Sequence, residues 1–139
     1  EALQIDSSAG HDLKLTNPYP DELVSFIQIW LKKATRPAKP PGYSASQFNI
    51  EDKNRLLPVF KSRSSLTSCF IGKFDLRSDG VYQCADKQPD VFAVAVTGAF
   101  EFQNRLLQAG DALRLEKVQS EIEFEALSQD AILMLIETS

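Results

Sequence analysis

The residues that could do chemistry in this chain are few and lie far apart. His11 is the one histidine, and with Asp12 beside it could act as a general base or as a single metal ligand. Polar residues in a turn-rich stretch are usually solvated, which is the simpler interpretation of this pair. A serine nucleophile needs a base within hydrogen-bond reach, and the chain has no GxSxG turn to present one. We therefore predict no catalysis by histidine or serine.

The thiols and the clustered carboxylates are also better explained by structure than by catalysis. Cys69 lies in an alternating stretch, which favours a small buried hydrophobic residue over a nucleophile. Together with Cys84 it is one of two cysteines, and without a secretion signal both are expected to be free thiols. Glu121, Glu123 and Glu125 recur at every second residue, which predicts one solvated strand face. An acid–base pair would need two environments that separate the pKa values, so no catalytic residue is predicted.

Three aromatic residues are candidates for a ligand pocket. Trp30, Tyr82 and Phe92 could line the mouth of a β-barrel and stack on an aromatic ligand. Packing in a protein core is the more common role of such residues. Both interpretations stay open at this point.

Composition excludes several functional classes. The chain has 139 residues, of which 24% are charged and 43% hydrophobic, as is typical of one globular domain with a core. Its net charge of -4 gives no basic excess, so we expect no nucleic-acid partner and no membrane partner. No apolar run approaches the roughly 20 residues of a membrane-spanning helix, and no signal-peptide pattern is present. We expect a cytoplasmic protein.

The elements that would position these residues are short strands, most clearly in residues 91–115. An apolar run ends at Thr97, and Phe100 and Phe102 then alternate with polar residues as in a half-buried strand. Turns are predicted at 104–105 and 109–111, the second held by the side chain of Asp111. This stretch predicts consecutive antiparallel strands.

Other stretches follow the same pattern. Residues 120–127 alternate with an apolar inward face, and residues 131–136 form a solid apolar strand. Residues 69–76 and 81–85 flank a strong turn signal, which predicts a hairpin. Pro58 predicts a strand at a sheet edge. About nine to eleven such strands in one domain predict an all-β sandwich or barrel.

Residues 21–34 give conflicting signals. Asp21 could cap a helix, and the apolar residues after it, including Leu23 and Trp30, fall at helical spacing. The same segment is rich in β-branched and aromatic residues, which suits a strand buried on both faces. Composition alone leaves the choice open.

Two parts of the chain resemble the carboxy-terminal half of the pirin family, bicupin proteins related to quercetin 2,3-dioxygenases. The first combines SAG at residues 8–10 with FIQIWL at 26–31, which is similar to the family's AG turn and QIW strand. The second combines VTGAFEF at 96–102, LQAGDA at 107–112 and AILMLIE at 131–137. These motifs cover most of the chain in the order of the family.

The resemblance implies a double-stranded β-helix, the cupin jelly roll. It implies a single cupin domain over residues 1–139, with residues 1–20 as an N-terminal arm that belongs to, or pairs with, a neighbouring cupin. It also favours a strand for residues 21–34, because QIW is a strand in pirins.

The resemblance further identifies what this chain lacks. Pirins bind iron in their amino-terminal cupin through a paired-histidine motif and a later His-Ser-Glu segment. Here Leu15 and Asn17 occupy the positions of that histidine and glutamate, and Leu113 lies where a metal-binding cupin places a histidine. A metal site built from imidazoles needs two or three of them. We expect no metal ligand and no cofactor in this chain, with iron or another transition metal only where the family's metal-binding half is present.

These observations lead to two hypotheses of function. The first is a metal-free, pirin-like cupin domain that acts as a structural, dimerisation or small-ligand-binding module. The alternative is the non-catalytic half of a quercetin 2,3-dioxygenase-like metalloenzyme whose metal-binding cupin lies upstream. Both predict a second cupin domain as partner, either an upstream half or a second copy of the chain. Apolar segments at residues 2–5 and 131–136 favour pairing of copies through their strands.

Overall fold

The computed structural model describes residues 1–6, 12–31, 42–62, 67–85, 88–119 and 121–138. Within these ranges the regular structure consists of strands, which confirms the all-β prediction. In chain order the strands are β1 (Ala2–Asp6), β2 (Gly42–Ser46), β3 (Leu57–Ser62), β4 (Thr67–Phe74), β5 (Asp79–Tyr82), β6 (Asp90–Thr97), β7 (Ala99–Phe102), β8 (Arg105–Gln108), β9 (Ala112–Leu115), β10 (Ile122–Ala126) and β11 (Ala131–Thr138).

The strands form two packed sheets and a separate pair. The larger sheet has the order β3-β4-β11-β6-β9, and the smaller sheet has the order β5-β10-β7-β8. All neighbouring strands are antiparallel. Strands β1 and β2 form a third, two-stranded sheet, which we call the ribbon.

Alternation within the strands places one face of each large sheet in a shared core. In β10, Ile122, Phe124 and Ala126 are buried, as their spacing predicts. The ring of Phe74 in the larger sheet meets Phe100 and Phe124 of the smaller sheet edge-on, with centroids 6.0 and 5.2 Å apart. Such edge-on contacts are the favoured arrangement of aromatic pairs, so these rings join the two layers.

The chain passes from the larger to the smaller sheet at Gly98. Its φ of +73° is unfavourable for other residues, and a Cβ atom there would lie 2.8 Å from the Cβ of Ala131. Glycine therefore allows β6 to end against β11 while β7 begins in the opposite layer.

The prediction of consecutive antiparallel strands in residues 91–115 is confirmed, although β6 pairs with β9 rather than with β7. Gly110 has a φ of +90° and donates its N–H to the carbonyl of Ala95, 2.8 Å away. The Asp111 carboxylate accepts a hydrogen bond from the Gln108 N–H at 2.9 Å, as predicted for this turn. The turn thus returns the chain to the larger sheet.

The hairpin predicted for residues 69–85 is wrong. Strand β4 lies in the larger sheet, whereas β5 lies at the edge of the smaller sheet beside β10. The connecting turn bonds to β10, since the Arg77 N–H donates to the Ala126 carbonyl at 2.8 Å and the Ala126 N–H donates to the Ser78 carbonyl at 3.0 Å. The turn is therefore present as predicted, but it leads the chain from the larger sheet to the smaller one instead of back along β4.

The strand predicted for residues 21–34 is also wrong over its described part, residues 21–31. No helix or strand forms there, and Leu23 is 102% exposed, Phe26 65% and Trp30 75%. A strand needs a neighbour for its backbone N–H and C=O groups. Strand-forming composition in this segment does not suffice without such a neighbour. His11 and the SAG motif lie outside the described residues.

Two predictions about single strands have clear outcomes. Strand β3 is an edge strand, as Pro58 predicts. Its register also shifts between Pro58 and Phe60. Residues 131–136 do form a strand, but β11 is the central strand of the larger sheet and is paired on both sides. Its edges are therefore not available to another copy of the chain.

Charged side chains link the loops that precede β3 and β11 to the end of β4, at one end of the larger sheet. Lys53 Nζ lies 2.9 Å from Asp75 Oδ1 and 2.6 Å from Asp130 Oδ1. The Lys73 ammonium lies 2.9 Å from a carboxylate oxygen of Glu51. Hydrogen bonds from Lys53 lower the pKa of both aspartates below its usual value, because they stabilise the ionised form.

Candidate partner-binding surface

The outward face of the larger sheet is apolar in its central strands. Met134 of β11 lies directly between Ile71 of β4 and Val94 of β6, and we call these three residues the apolar row. The neighbouring row is also apolar and consists of Cys69, Ile136 and Phe92. These side chains form a cluster distinct from the core between the sheets. The larger sheet therefore has apolar residues on both faces.

The segment of residues 12–31 covers part of this outward face. Its Ile29 packs against the cluster, as do Val59 and Phe60 of the edge strand β3. Met134 is only 5% exposed, whereas Val94 stays half-buried. The outward face is thus a second apolar layer with a partial cover.

The same 12–31 segment exposes most of its own apolar side chains. Between 41% and 102% of each is accessible for Leu13, Leu15, Tyr19, Leu23, Val24, Phe26, Ile27, Trp30 and Leu31. Exposed apolar residues that occur singly are normal, but their concentration in one segment of twenty residues makes this segment a candidate interaction site. The segment and the outward face together form the candidate surface.

A charged residue borders this surface on the edge strand β9. The Arg114 guanidinium lies over the ring of Phe92, 5.5 Å from its centroid, and 2.6 Å from Asp90 Oδ2. The hydrogen bond from Arg114 lowers the pKa of Asp90 below its usual value. A second carboxylate, that of Glu116, lies 3.1 Å from the same guanidinium. A charge on an edge strand discourages unwanted strand pairing there.

The outward face of the smaller sheet has the opposite chemistry. Glu125 of β10 lies directly between Asp79 of β5 and Glu101 of β7, and we call these three residues the acidic row. The guanidinium of Arg77 lies 3.7 Å from the Glu125 carboxylate. Glu123 is exposed on the same face, as its alternation predicts. This face is therefore polar and solvated, as predicted for a strand face in water.

The three residues predicted to line a ligand pocket lie in different places. Tyr82 is 6% exposed and packs in the core between the sheets, with its ring 5.3 Å from that of Phe70. Phe92 belongs to the outward face of the larger sheet, and Trp30 is 75% exposed in the 12–31 segment. The structure does not bring the three side chains together, and small-ligand binding by them stays a prediction.

The core between the sheets does not suit a metal ion. Leu113, which the resemblance places where a metal-binding cupin has a histidine, is half-buried and packs against the core. Among the described residues, no group of three histidine, cysteine, aspartate or glutamate side chains could hold a metal. The donors that a transition metal prefers are not assembled there, so the residues do not fit the metal site of the resemblance.

A buried carboxylate that sequence reasoning missed lies at the end of β11. Glu137 is 2% exposed and accepts hydrogen bonds from the Tyr82 hydroxyl and, at 3.1 Å, from the Ala85 N–H. Its spacing from the buried Leu133 and Leu135 is a signal that could have predicted an inward position. These hydrogen bonds offset the cost of burying the carboxylate. They also link β11 to the chain just after β5.

Both cysteines are free thiols, as predicted. Burial raises the pKa of Cys69 to about 12, so this thiol is unreactive at neutral pH. Burial also raises the pKa of Cys84, and the nearby charge of Glu137 adds to the effect. Neither residue has the lowered pKa that a nucleophilic cysteine needs, which supports the prediction of structural thiols.

A shallow cavity of about 430 Å³ lies along β9 and the loop that follows it. Its walls combine apolar residues such as Leu113 and Val118 with the charged side chains of Arg105, Lys117 and Glu121. None of the residues predicted to bind a ligand lines it.

In the described ranges, no helix is long and apolar enough to cross a membrane.

Comparison with known proteins identifies the fold class first. No family model matches the chain, and no curated protein matches it. Among solved structures, the Cupin_2 domain of an XRE family transcriptional regulator from Enterobacter cloacae matches with a TM-score of 0.52 and 11% identity. The match covers 61% of this chain and 95% of that one. The sandwich is therefore a cupin fold, which confirms the predicted jelly roll.

A more extensive match is to a bacterial pirin. The structure of YhhW from Escherichia coli matches with a TM-score of 0.64 and 16% identity over 75% of this chain. A nickel(II) complex of this bacterial pirin matches with a TM-score of 0.63 and 17% identity. The matched part is 46% of the length of YhhW, so this chain spans about half of it. Likeness at this identity concerns the fold, and the assignment to the carboxy-terminal half stays a prediction.

Proposed function

We propose that this chain is a partner-binding cupin domain whose task is to pack against a second cupin domain. The proposal is carried by the outward face of the larger sheet, where the apolar row lies beside a segment with exposed apolar side chains. An antiparallel sheet with one face in water normally has polar residues on that face. An apolar outward face is the feature expected where a second protein surface is buried.

The resemblance to pirins supports a cupin as this second domain, because members of that family are bicupins. About half of the length of YhhW lies outside its match with this chain. The partner is therefore either an upstream half of the same polypeptide or a second copy of this chain. A paired-histidine cupin motif encoded upstream of Glu1 would identify the first case.

The domain itself contributes no metal ligand on this proposal. Leu113, at the position that the resemblance assigns to a metal-binding histidine, packs against the core, and the described side chains form no metal-binding group. The dioxygenase alternative assigns all metal chemistry to an upstream half. Elemental analysis of the purified chain should then give no stoichiometric transition metal, and a full equivalent of iron or nickel would contradict the proposal.

Sedimentation velocity of paired variants tests the binding surface. Phe26→Ser combined with Trp30→Ser removes two exposed aromatic side chains of the 12–31 segment, 65% and 75% accessible. Because burial of each would contribute more than about 1 kcal/mol, we expect assembly to weaken by about tenfold or more. The matched control is Val81→Ser with Leu106→Ser, which removes two exposed apolar side chains, 54% and 59% accessible, from the smaller sheet. The control should assemble normally.

The outcome that contradicts the proposal is an equal response of the two double variants. Assembly that survives loss of Phe26 and Trp30 would show that the 12–31 segment is not at the interface. The proposal would be wrong if the chain is monomeric at high micromolar concentration and no cupin is encoded upstream.

A further inference from the structure

The cavity beside β9 is bordered by both large sheets. Leu113 and Leu115 lie on β9, at one edge of the larger sheet, and Arg105 lies on β8, at one edge of the smaller sheet. The loop between β9 and β10 contributes Lys117 and Val118. The volume of about 430 Å³ falls within the roughly 300–1,000 Å³ of small-molecule sites. The cavity is therefore large enough for a small organic ligand.

The floor of this cavity is apolar. Leu113, Leu115 and Val118 are half-buried and pack against the core between the sheets. Ile122 lies beside them and is fully buried. The three half-buried side chains keep some accessible surface, and contact with a hydrocarbon group would remove that surface from water. The floor thus suits the apolar part of a ligand.

Two cations at the rim have no carboxylate within ion-pair distance among the described residues. They are Arg105 and Lys117, which lie on different elements and are both exposed. The third cation of the lining, Arg114, pairs with Asp90 at 2.6 Å and with Glu116 at 3.1 Å. Two positive charges therefore stay available to a ligand, although the net charge of the chain is -4.

The remaining carboxylate of the lining, that of Glu121, is held by an amide. It accepts a hydrogen bond from the Gln83 side chain at 2.6 Å. The Gln103 side chain donates to the main-chain carbonyl of the same glutamate at 3.3 Å. The lining as a whole has three cations and two carboxylates, so its net charge is positive. This balance favours an anionic ligand.

The backbone of Lys117 has a conformation that is uncommon for lysine. Its φ is +50°, in the left-handed region that favours glycine. The Lys117 N–H donates to Asp90 Oδ1 at 3.0 Å, which holds the residue there. The next N–H, that of Val118, donates to the Pro89 carbonyl at 2.8 Å. Glycine would fit this backbone with less strain, and strained residues of this kind cluster at binding sites.

We propose that this cavity binds a small organic carboxylate with an apolar body, such as an aromatic or branched aliphatic acid. The Arg105 guanidinium accommodates the carboxylate through paired hydrogen bonds, and the Lys117 ammonium binds it from the loop. The apolar body lies on the floor formed by Leu113, Leu115 and Val118. The inference goes beyond the proposed function and is independent of it, because no residue of the 12–31 segment lines the cavity.

NMR titration of the chain with benzoate tests this inference. We expect saturable shifts of the amides of residues 103–105 and 113–119, with a dissociation constant of about 1 mM or lower. Benzamide has the same shape without the charge and should bind at least about tenfold more weakly. Equal binding of benzamide, or shifts that do not saturate, would overturn the inference. Inorganic phosphate that binds as tightly as benzoate would also overturn it, because the apolar floor would then contribute nothing.

Variants of the two cations provide a matched comparison. Arg105→Gln should weaken benzoate binding by about tenfold or more. Its control is Arg77→Gln, which changes an arginine that is 79% exposed outside the cavity and should leave the affinity unchanged. Lys117→Gly should weaken binding without lowering the thermal midpoint, because glycine favours a positive φ. Unchanged affinity in the Arg105 and Lys117 variants would overturn the inference.

Discussion

The central strands of the two large sheets differ in what they present to the outside. Strand β11 carries the apolar row, and β10 carries the acidic row, each at the centre of three directly opposed residues. Strand β10 alternates between buried and accessible positions, as does a strand with one face in water. Strand β11 is apolar on both sides, as is a strand covered on both faces. Part of the second cover is the chain itself, through Ile29 of the 12–31 segment, and our proposed function assigns the rest to a partner.

The outward faces of the two sheets also differ in how favourable it would be to bury them against a partner. Like charges that lie directly opposite one another destabilise a sheet unless water screens them, so the acidic row resists burial. Burial of the apolar row is favourable because it removes hydrocarbon from water. On the proposed function, association is therefore expected at the larger sheet and not at the smaller one.

The largest effect is expected when a charge is introduced into the apolar row. Met134 is 5% exposed between Ile71 and Val94, so Met134→Glu places a carboxylate among apolar side chains. We expect the free energy of unfolding in urea to fall by about 2–4 kcal/mol. Met134→Leu is the control of similar volume and should cost less than about 1.5 kcal/mol. A glutamate variant as stable as the leucine variant would show that the row is not buried.

A smaller effect is expected at the two carboxylates that accept hydrogen bonds from Lys53. It concerns the pH dependence of stability and distinguishes these carboxylates from those of the acidic row. The pKa values of Asp75 and Asp130 are lowered in the folded protein, chiefly by hydrogen bonds from Lys53. Their stabilising effect is therefore present above the unfolded pKa of about 3.9 and is lost as the pH falls through the lower folded values. Asp130→Asn should flatten the loss of stability between neutral pH and acid.

Urea unfolding measured at several acidic pH values checks this expectation. Lys53→Gln removes the cation that lowers both pKa values, so it should flatten the same part of the curve. Variants whose acid dependence equals that of the parent chain would show that these contacts do not persist in solution.

The smallest effect is expected in the acidic row. Glu125→Met removes like-charge repulsion with Asp79 and Glu101 and should stabilise the fold by about 0.2–1 kcal/mol. The substitution also removes the ion pair with Arg77, but this pair is 3.7 Å long and exposed on the arginine side, so it contributes little. Thermal unfolding at low ionic strength is the measurement. A destabilised methionine variant would contradict the contrast between the two faces.

Local periodicity predicts the inward faces well, because each depends on one strand. Ile122, Phe124 and Ala126 are buried where alternation places them. The Gly110 turn and its hydrogen bond to the Asp111 side chain also follow from adjacent residues. These features need no knowledge of distant parts of the chain.

The choice of partner strand is not local, and there the predictions are wrong. The turn at Arg77 bonds to Ala126, almost fifty residues away, so β5 joins the smaller sheet instead of folding back on β4. Residues 21–31 have strand-forming composition but no neighbouring strand in the described structure. Composition predicts that a segment is able to form a strand. Whether it does so, and in which sheet, depends on which other strands lie beside it in the fold.

The exposed 12–31 segment has a consequence for the amount of protein in a cell. Exposed apolar side chains in a segment without regular structure are what chaperones and proteases recognise. A partner that covers Phe26 and Trp30 would withdraw them from both. By mass action, the lifetime of this domain would then follow the supply of its partner, so an excess of unpaired domain would be degraded.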